Sequence, residues 1–167
     1  MAEVILRAVE PEDVDFMLEC ESDASNARWS SYKVPLSKSQ LTTYALTYDA
    51  DPFSAGQLRL IICAPEPVYK LVGILDLYDI SAIDSRAFVG ICIHPDFRRQ
   101  GFAKAALVQL QTLNADRLGL ANLFAEVSSL NKAGLALFES AGFSRVALLP
   151  QWHKIGSAFH DFILFHI

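Results

Sequence analysis

The alternation of apolar and polar positions marks out the chain from its start. "EVILRA" (residues 3–8) predicts a strand, and "EPEDVDFMLECESD" predicts a helix with Pro11 near its start and Val14, Met17 and Leu18 at helical spacing. Ser37 is placed to cap a short second helix running through Leu41, Tyr44 and Ala45 to about Thr47. "DADPFSAG" reads as a loop from its breakers. "QLRLIICA", "YKLVGILDLYDI" and "RAFVGICI" predict three strands, the first two an antiparallel pair. A helix over 101–118 follows, with Ala103, Ala106, Leu107, Leu110 and Leu113 expected inward. "NLFAEVSS" predicts a strand and "NKAGLALFESAG" a helix closed by Gly142. The run from Phe143 to Ile167 predicts a hairpin turning near Gly156. The step from 87–93 through a helix to 123–128 is a βαβ unit, so those strands should be parallel neighbours. The expected class is α+β, one domain over 1–167.

Composition narrows the setting. A chain of 167 residues, 52% apolar, can bury a full core without disulfides or a structural metal. Cys20, Cys63 and Cys92 are odd in number and lie among apolar residues, which points to reduced thiols in a cytoplasmic protein. The N-terminal residues lack the basic and then apolar regions of a signal peptide, and no run reaches membrane-span length. A net charge of −5 argues against a nucleic-acid partner and suits a cationic substrate.

One stretch calls for a chemical explanation. In "IHPDFRRQGFAKAALVQL" a predicted strand hands over to a helix through Arg98, Arg99, Gln100 and Gly101. A helix start offers N–H groups without intrahelical partners and the positive end of the helix dipole, and both favour an anion. Glycine permits close backbone approach, and arginines add forked donors for phosphate oxygens. The spacing is neither a P-loop nor a three-glycine dinucleotide turn. Locally, a phosphate site and an ordinary turn with solvated arginines remain equally open.

With its surroundings, the stretch resembles the GCN5-related N-acetyltransferase (GNAT) family. Arg98-Arg99-Gln100-Gly101-Phe102-Ala103 fits the pattern Arg/Gln-x-x-Gly-x-Gly/Ala. "VGICIHPDF" resembles the family's fourth strand, and "AEVSSLNKAGLALFESAGF" its fifth strand, asparagine, helix and terminal Gly-Phe. The likeness is strong over about residues 70–145 and loose elsewhere. It implies a mostly antiparallel twisted sheet in which the parallel fourth and fifth strands splay apart. It also implies acetyl-CoA as co-substrate. The pantetheine arm would bond to the backbone of Ile91, Cys92 and Ile93, and the pyrophosphate to the backbone of Arg98 to Ala103. Asn131 would hold the cofactor, cap the following helix, or do both.

Amine attack on a thioester needs a neutral amine, yet a lysine-like amine of pKa ~10.4 is only about one part in a thousand neutral at pH 7. A general base lifts that limit. Glu126, on a strand face with Phe124 and Ser128, is the candidate. It matches the glutamate proposed as base in the branch that acetylates N-terminal alanines of ribosomal proteins. An edge-exposed glutamate or a salt-bridge partner is the competing reading. Where many members carry a tyrosine acting as general acid, this chain has Phe138. The thiolate would then leave unaided, or take a proton through water or a hydroxyl such as Ser128 or Tyr78. Phe138 is still expected to shape the pocket beside the thioester.

The acceptor is less legible. Glu10, Glu12, Asp13, Asp15, Glu19, Glu21 and Asp23 lie in a stretch without a base, and an acidic wall would attract a diamine or polyamine. The layout resembles the spermidine/diamine branch, except that Ser30 and Ser31 stand where that branch often carries glutamates. A solvated helix face, with acids favoured toward its N-terminus, is the competing and simpler reading. Trp29, Tyr32, Tyr78 and Trp152 are candidate pocket walls or packing residues. His160 and His166 share a predicted strand face without a carboxylate or cysteine to complete a ligand set, so no metal is expected. The expected protein is an enzyme moving acetyl to the primary amine of a small molecule or a protein N-terminus. A CoA-binding module without turnover and a generic phosphate binder are the alternatives. A homodimer or higher homo-oligomer is open.

Overall fold

The computed structural model describes residues 2–29, 34–65 and 69–167. Ser30, Ser31 and Tyr32 lie outside the described residues. Seven strands, β1 (Ile5–Ala8), β2 (Leu58–Ala64), β3 (Lys70–Ser81), β4 (Arg86–Ile93), β5 (Asn122–Ser128), β6 (Ser144–Ile155) and β7 (Ala158–His166), form one sheet in the order β1-β2-β3-β4-β5-β7-β6. All neighbours are antiparallel except β4 and β5, which are parallel. The helices are α1 (Val14–Ser22), α2 (Ala24–Ala27), α3 (Lys38–Thr47), α4 (Pro52–Ala55), α5 (Phe102–Leu113) and α6 (Lys132–Ser140). The α+β class, the mostly antiparallel sheet and the βαβ step through α5 are as expected.

Two cores cover the two faces of the sheet. On one, Leu75 and Leu77 of β3, Ala87 and Val89 of β4, and Leu123, Ala125 and Val127 of β5 meet Ala106, Leu107 and Leu110 of α5 and Phe138 of α6. On the other, Ile61, Cys63 and Ile74 meet Val14, Met17 and Cys20 of α1 and Leu41 and Ala45 of α3. Alternation along β2 feeds both cores, with Leu60 and Ile62 on one side and Ile61 and Cys63 on the other, which is why β2 is apolar at all but one position.

Local chemistry sets the helix ends. Ser37 accepts from Gln40 N–H at 3.1 Å while Gln40 Oε1 accepts from Ser37 N–H at 2.8 Å, a reciprocal cap for α3. The expected loop around Pro52 contains the single turn α4, because Asp51 caps it and Gly56, at φ 68°, ends it. The helix expected over 101–118 is α-helical only to Leu113 and widens into a π turn over Asn114–Leu118. There Gly119 N–H bonds Asn114 O at 2.7 Å, and the Asn114 amide exchanges bonds with the Leu120 backbone at 2.9 and 3.1 Å. Ala105 is buried, whereas Ala103 and Leu113 are half-buried. Among the described residues, no helix is long and apolar enough to cross a membrane.

Candidate active site

The parallel β4/β5 ladder covers Arg86↔Asn122, Ala87↔Leu123 and Phe88↔Phe124 and then stops. Beyond it β4 stays paired to β3 as far as Ile93, and β5 to β7 as far as Ser128. The two strands therefore diverge into a gap walled by backbone. His94 N–H donates to Val72 O at 2.9 Å, which fixes the alternation along β4. Cys92 turns its N–H and C=O toward β3, while Ile91 and Ile93 turn theirs toward the gap. A backbone role for Cys92 in the gap does not fit this register. Its side chain lies on the α1 face, where Asn26 Nδ2 reaches its sulfur at 2.8 Å. Of the groups facing the gap, Ile93 O already accepts from Arg98 Nε at 3.1 Å.

A 3-10 turn, Pro95–Phe97, leads from β4 into the arginines. Arg99 and Gly101 both take the left-handed conformation, at φ 62° and 87°. Among the described residues, no side chain caps α5. Ala105 N–H reaches back to Gly101 O at 3.1 Å, so the N–H groups of Phe102, Ala103 and Lys104 are the ones that helix geometry leaves open. Such a turn, with consecutive N–H groups converging at a helix start, suits an anion. The two arginines divide. Arg98 is turned inward, its guanidinium bonded to Asp23 at 2.9 Å, Ser25 at 2.6 Å and Ile93 O, so only its backbone faces the turn's concavity. Arg99 is exposed, as is Gln100, whose amide holds Asp96 O at 3.0 Å. At the far side of the gap, Asn131 Oδ1 accepts from Gly134 N–H at 2.9 Å and caps α6. A Cβ on residue 134 would stand 2.7 Å from the Asn131 amide nitrogen, so glycine there makes room for the cap. The Asn131 NH2 group is what remains for a ligand.

Glu126 stands on β5 opposite Leu164, its side chain 17% exposed. Its Oε2 lies 3.2 Å from Nε2 of His153 on β6. Tyr78, Phe88, Phe124 and His166 lie in a row across four strands on the same face, with centroids 5.6, 5.7 and 4.8 Å apart. Burial first, and then the Glu126 carboxylate, push the Tyr78 phenol above its ordinary pKa, so it keeps its proton. Ser128 is buried, with Oγ accepting from Leu130 N–H at 3.3 Å. Phe138 is 5% exposed and packs on Phe143 at 5.1 Å and Phe165 at 5.8 Å. It belongs to the core under the sheet, contrary to the expectation that it shapes the pocket.

The acidic stretch is largely neutralised from within. Asp13 pairs with Arg7 at 2.7 Å, Asp15 with Lys38 at 2.6 Å, Glu21 with Arg59 at 2.8 Å and Asp23 with Arg98 at 2.9 Å. Glu19 faces His94 at 3.6 Å, and Glu10 caps the turn over Pro11–Asp13. Arg59, 7% exposed, also forks onto Asp76 at 2.7 and 2.8 Å. These pairs adjoin a cavity of about 180 Å³ between α3, β2 and β3, lined by Gln40, Tyr44, Gln57, Arg59, Asp76 and Tyr78. Bonds from Ser25 and then Arg98 hold the Asp23 carboxyl below its usual range.

Nothing in the sequence pairs His153 with Glu126, 27 positions away. Pro150, inside a strand-like run, signals only the distortion beside it, since proline within a sheet marks a bulge or an edge. Trp152, half exposed, lies edge-on to the His153 ring at 6.0 Å. His166 bonds Asn122 at 2.8 Å.

A diverging parallel strand pair, an anion-shaped turn and a sheltered carboxylate describe a known architecture. The model of the acetyltransferase (GNAT) domain matches residues 3–144, and the chain belongs to that family. It is 30% identical over 82 residues to the [ribosomal protein bS18]-alanine N-acetyltransferase of Escherichia coli strain K12, covering 49% of this chain and 55% of that one. The protein of that description from Salmonella typhimurium strain LT2 is 28% identical over 82 residues, with the same coverage. The chain thus spans about half the length of the curated relatives it matches. Among solved structures, the spermidine N-acetyltransferase of Vibrio cholerae in complex with CoA and spermine superposes with a TM-score of 0.88 at 20% identity, covering 99% of this chain and 95% of that one. RimL, a ribosomal L7/L12 α-N-protein acetyltransferase in complex with coenzyme A, gives 0.87 at 17% identity, covering 100% and 94%. These likenesses establish the shared fold.

Proposed function

We propose that the protein transfers the acetyl group of acetyl-CoA directly to a primary amine, with Glu126 as general base. The observation that carries this reading is the gap between β4 and β5, with the start of α5 at one end and Glu126 on the β5 segment beyond the last β4 pairing. Bound acetyl-CoA supplies an activated thioester carbonyl. The N–H groups of Phe102, Ala103 and Lys104, with the backbone of Arg98 to Gly101, hold its diphosphate. Ile91 and Ile93 bond the pantetheine arm as an added strand would, and the Asn131 amide steadies it from β5's end. An N–H of β4 facing the gap stabilises negative charge developing on the carbonyl oxygen. Glu126 takes the ammonium proton, and proximity supplies much of the remaining acceleration. The thiolate, conjugate base of a thiol of pKa about 8.5, leaves as the anion or takes a proton through water; burial makes the Tyr78 phenol a weaker acid and so a poor donor to it.

The pairing of Asp13, Asp15, Glu21 and Asp23 with basic side chains supports an acceptor that presents one amine, on a small molecule or a protein N-terminus, rather than a polycation. Thiol release from acetyl-CoA, measured against amines of graded charge and against peptides with free N-termini, tests the reading. Glu126→Gln is expected to lower kcat about 10²- to 10⁴-fold while acetyl-CoA affinity stays near wild type. Acetyl-CoA binding without turnover on any amine would instead make the protein a CoA-binding module.

A further inference from the structure

We infer that His153 is a positioning residue for the transfer: it orients the Glu126 carboxylate and carries its proton out to water. The inference rests on the transferase reading and concerns a residue on the hairpin, outside the strands that build the gap. His153 Nε2 stands 3.2 Å from Glu126 Oε2. The glutamate side chain is 17% exposed and the imidazole 41%, so the ring bridges a sheltered carboxylate to solvent.

The hairpin is distorted at this point. Between Leu149↔Phe162 and His153↔His160, β6 advances four positions while β7 advances two, so β6 carries two extra residues. Gln151 within this bulge has φ 49°, a conformation that costs a non-glycine residue energy, and its N–H is held by Asp161 Oδ1 at 2.8 Å. Bulges re-aim side chains. Here the ring is set edge-on against Phe162, centroids 4.8 Å apart, with one nitrogen on Glu126. The other titratable groups nearby are His160, opposite on β7, with Asp161 beside it, Lys154 next in β6, and Tyr78 on β3 beside Glu126.

The proton balance explains the need. A protonated amine has two protons to lose in becoming an amide. The first passes from the ammonium to Glu126, from the Glu126 carboxyl to Nε2 of the ring in its Nδ1–H form, and from Nδ1 of the resulting imidazolium to bulk water; the Nε2–H ring left behind donates to the carboxylate and orients it until exchange with water restores the Nδ1–H form. The amine nitrogen then forms its bond to the acetyl carbon, the C–S bond breaks, and the second proton goes to the departing sulfur. A sheltered glutamate with no exit must release its proton through the bound acceptor. An imidazole, which changes charge near neutral pH, gives it another path.

The experiment compares wild type, Glu126→Gln, His153→Gln, His153→Ala and His160→Gln by steady-state kinetics from pH 5.5 to 9. Expected for His153→Gln is a kcat loss of roughly 10- to 100-fold at pH 7, shrinking at high pH where the amine deprotonates itself, with the KM for acetyl-CoA unchanged. Free imidazole should restore part of the rate to His153→Ala, and His160→Gln should match wild type. Without any substrate, the ring ¹⁵N signals of His153 should move in Glu126→Ala. A purely packing role would lower kcat equally at every pH and give no imidazole rescue, which overturns the inference. So does a His153→Gln variant that turns over like wild type while Glu126→Gln does not. A wild-type protein inactive on every amine overturns the transferase reading itself.

Discussion

Arg98 and Arg99 are adjacent and chemically identical, yet they are held differently. Arg98 is turned inward onto Asp23, Ser25 and Ile93 O, tying the turn before α5 to the end of α1, while Arg99 stays exposed. Asp13 likewise looks like one of many surface acids in the sequence, but it is 3% exposed and forked onto Arg7. Burial, the largest influence on its carboxyl, works to raise the pKa. The Arg7 hydrogen bonds, the Glu10 N–H and the Arg7 charge together outweigh it and hold the value below normal. The pair's contribution is thus complete above the ordinary carboxylate value of ~3.9 and disappears as pH falls through the lowered one. Asp13→Asn is expected to destabilise the fold by about 2 kcal/mol at pH 7, seen as a lower Tm. Its Tm should also fall less steeply than that of wild type between pH 5 and pH 2.5.

At the scale of elements, the site depends on where a ladder stops and a helix starts. Gly101 precedes α5 at φ 87°, and a Cβ there would lie 3.6 Å from the Ala2 Cβ, an ordinary contact. Strain, not crowding, therefore makes glycine the fitting residue. Gly101→Val is expected to cost about 1–2 kcal/mol in stability. By shifting the converging N–H groups it should also weaken acetyl-CoA binding at least ~10-fold, or 1.4 kcal/mol, as calorimetry would show. On β3, by contrast, a Cβ at Gly73 would stand 2.4 Å from Cys92 O, so close packing of β3 on β4 requires glycine beside the gap.

Across the whole molecule, the seven acids of residues 10–23 overstate the local field around α1, because four of them are paired with Arg or Lys. A cationic acceptor should then feel little steering. Its kcat/KM is expected to fall less than about threefold between 50 and 300 mM NaCl, whereas an unpaired acidic funnel would lose tenfold or more. Stopped-flow or steady-state rates with a diamine and a monoamine, compared at both salt concentrations, check this.

Periodicity, breakers and caps were enough to read every strand, Ser37 as a helix cap and the parallel β4/β5 step, because those features are local or follow from handedness. The turn around Gly101 and the position of Glu126 were legible for the same reason: a glycine before a helix and a polar residue on an apolar strand stand out in one dimension. The partners of the charges were not. Whether Arg98 turns inward, whether Asp23 is paired, and which imidazole reaches Glu126 depend on residues 27 to 75 positions apart. Hydrogen bonds and ion pairs form only within about 4 Å, and the folded chain alone sets which groups come that close.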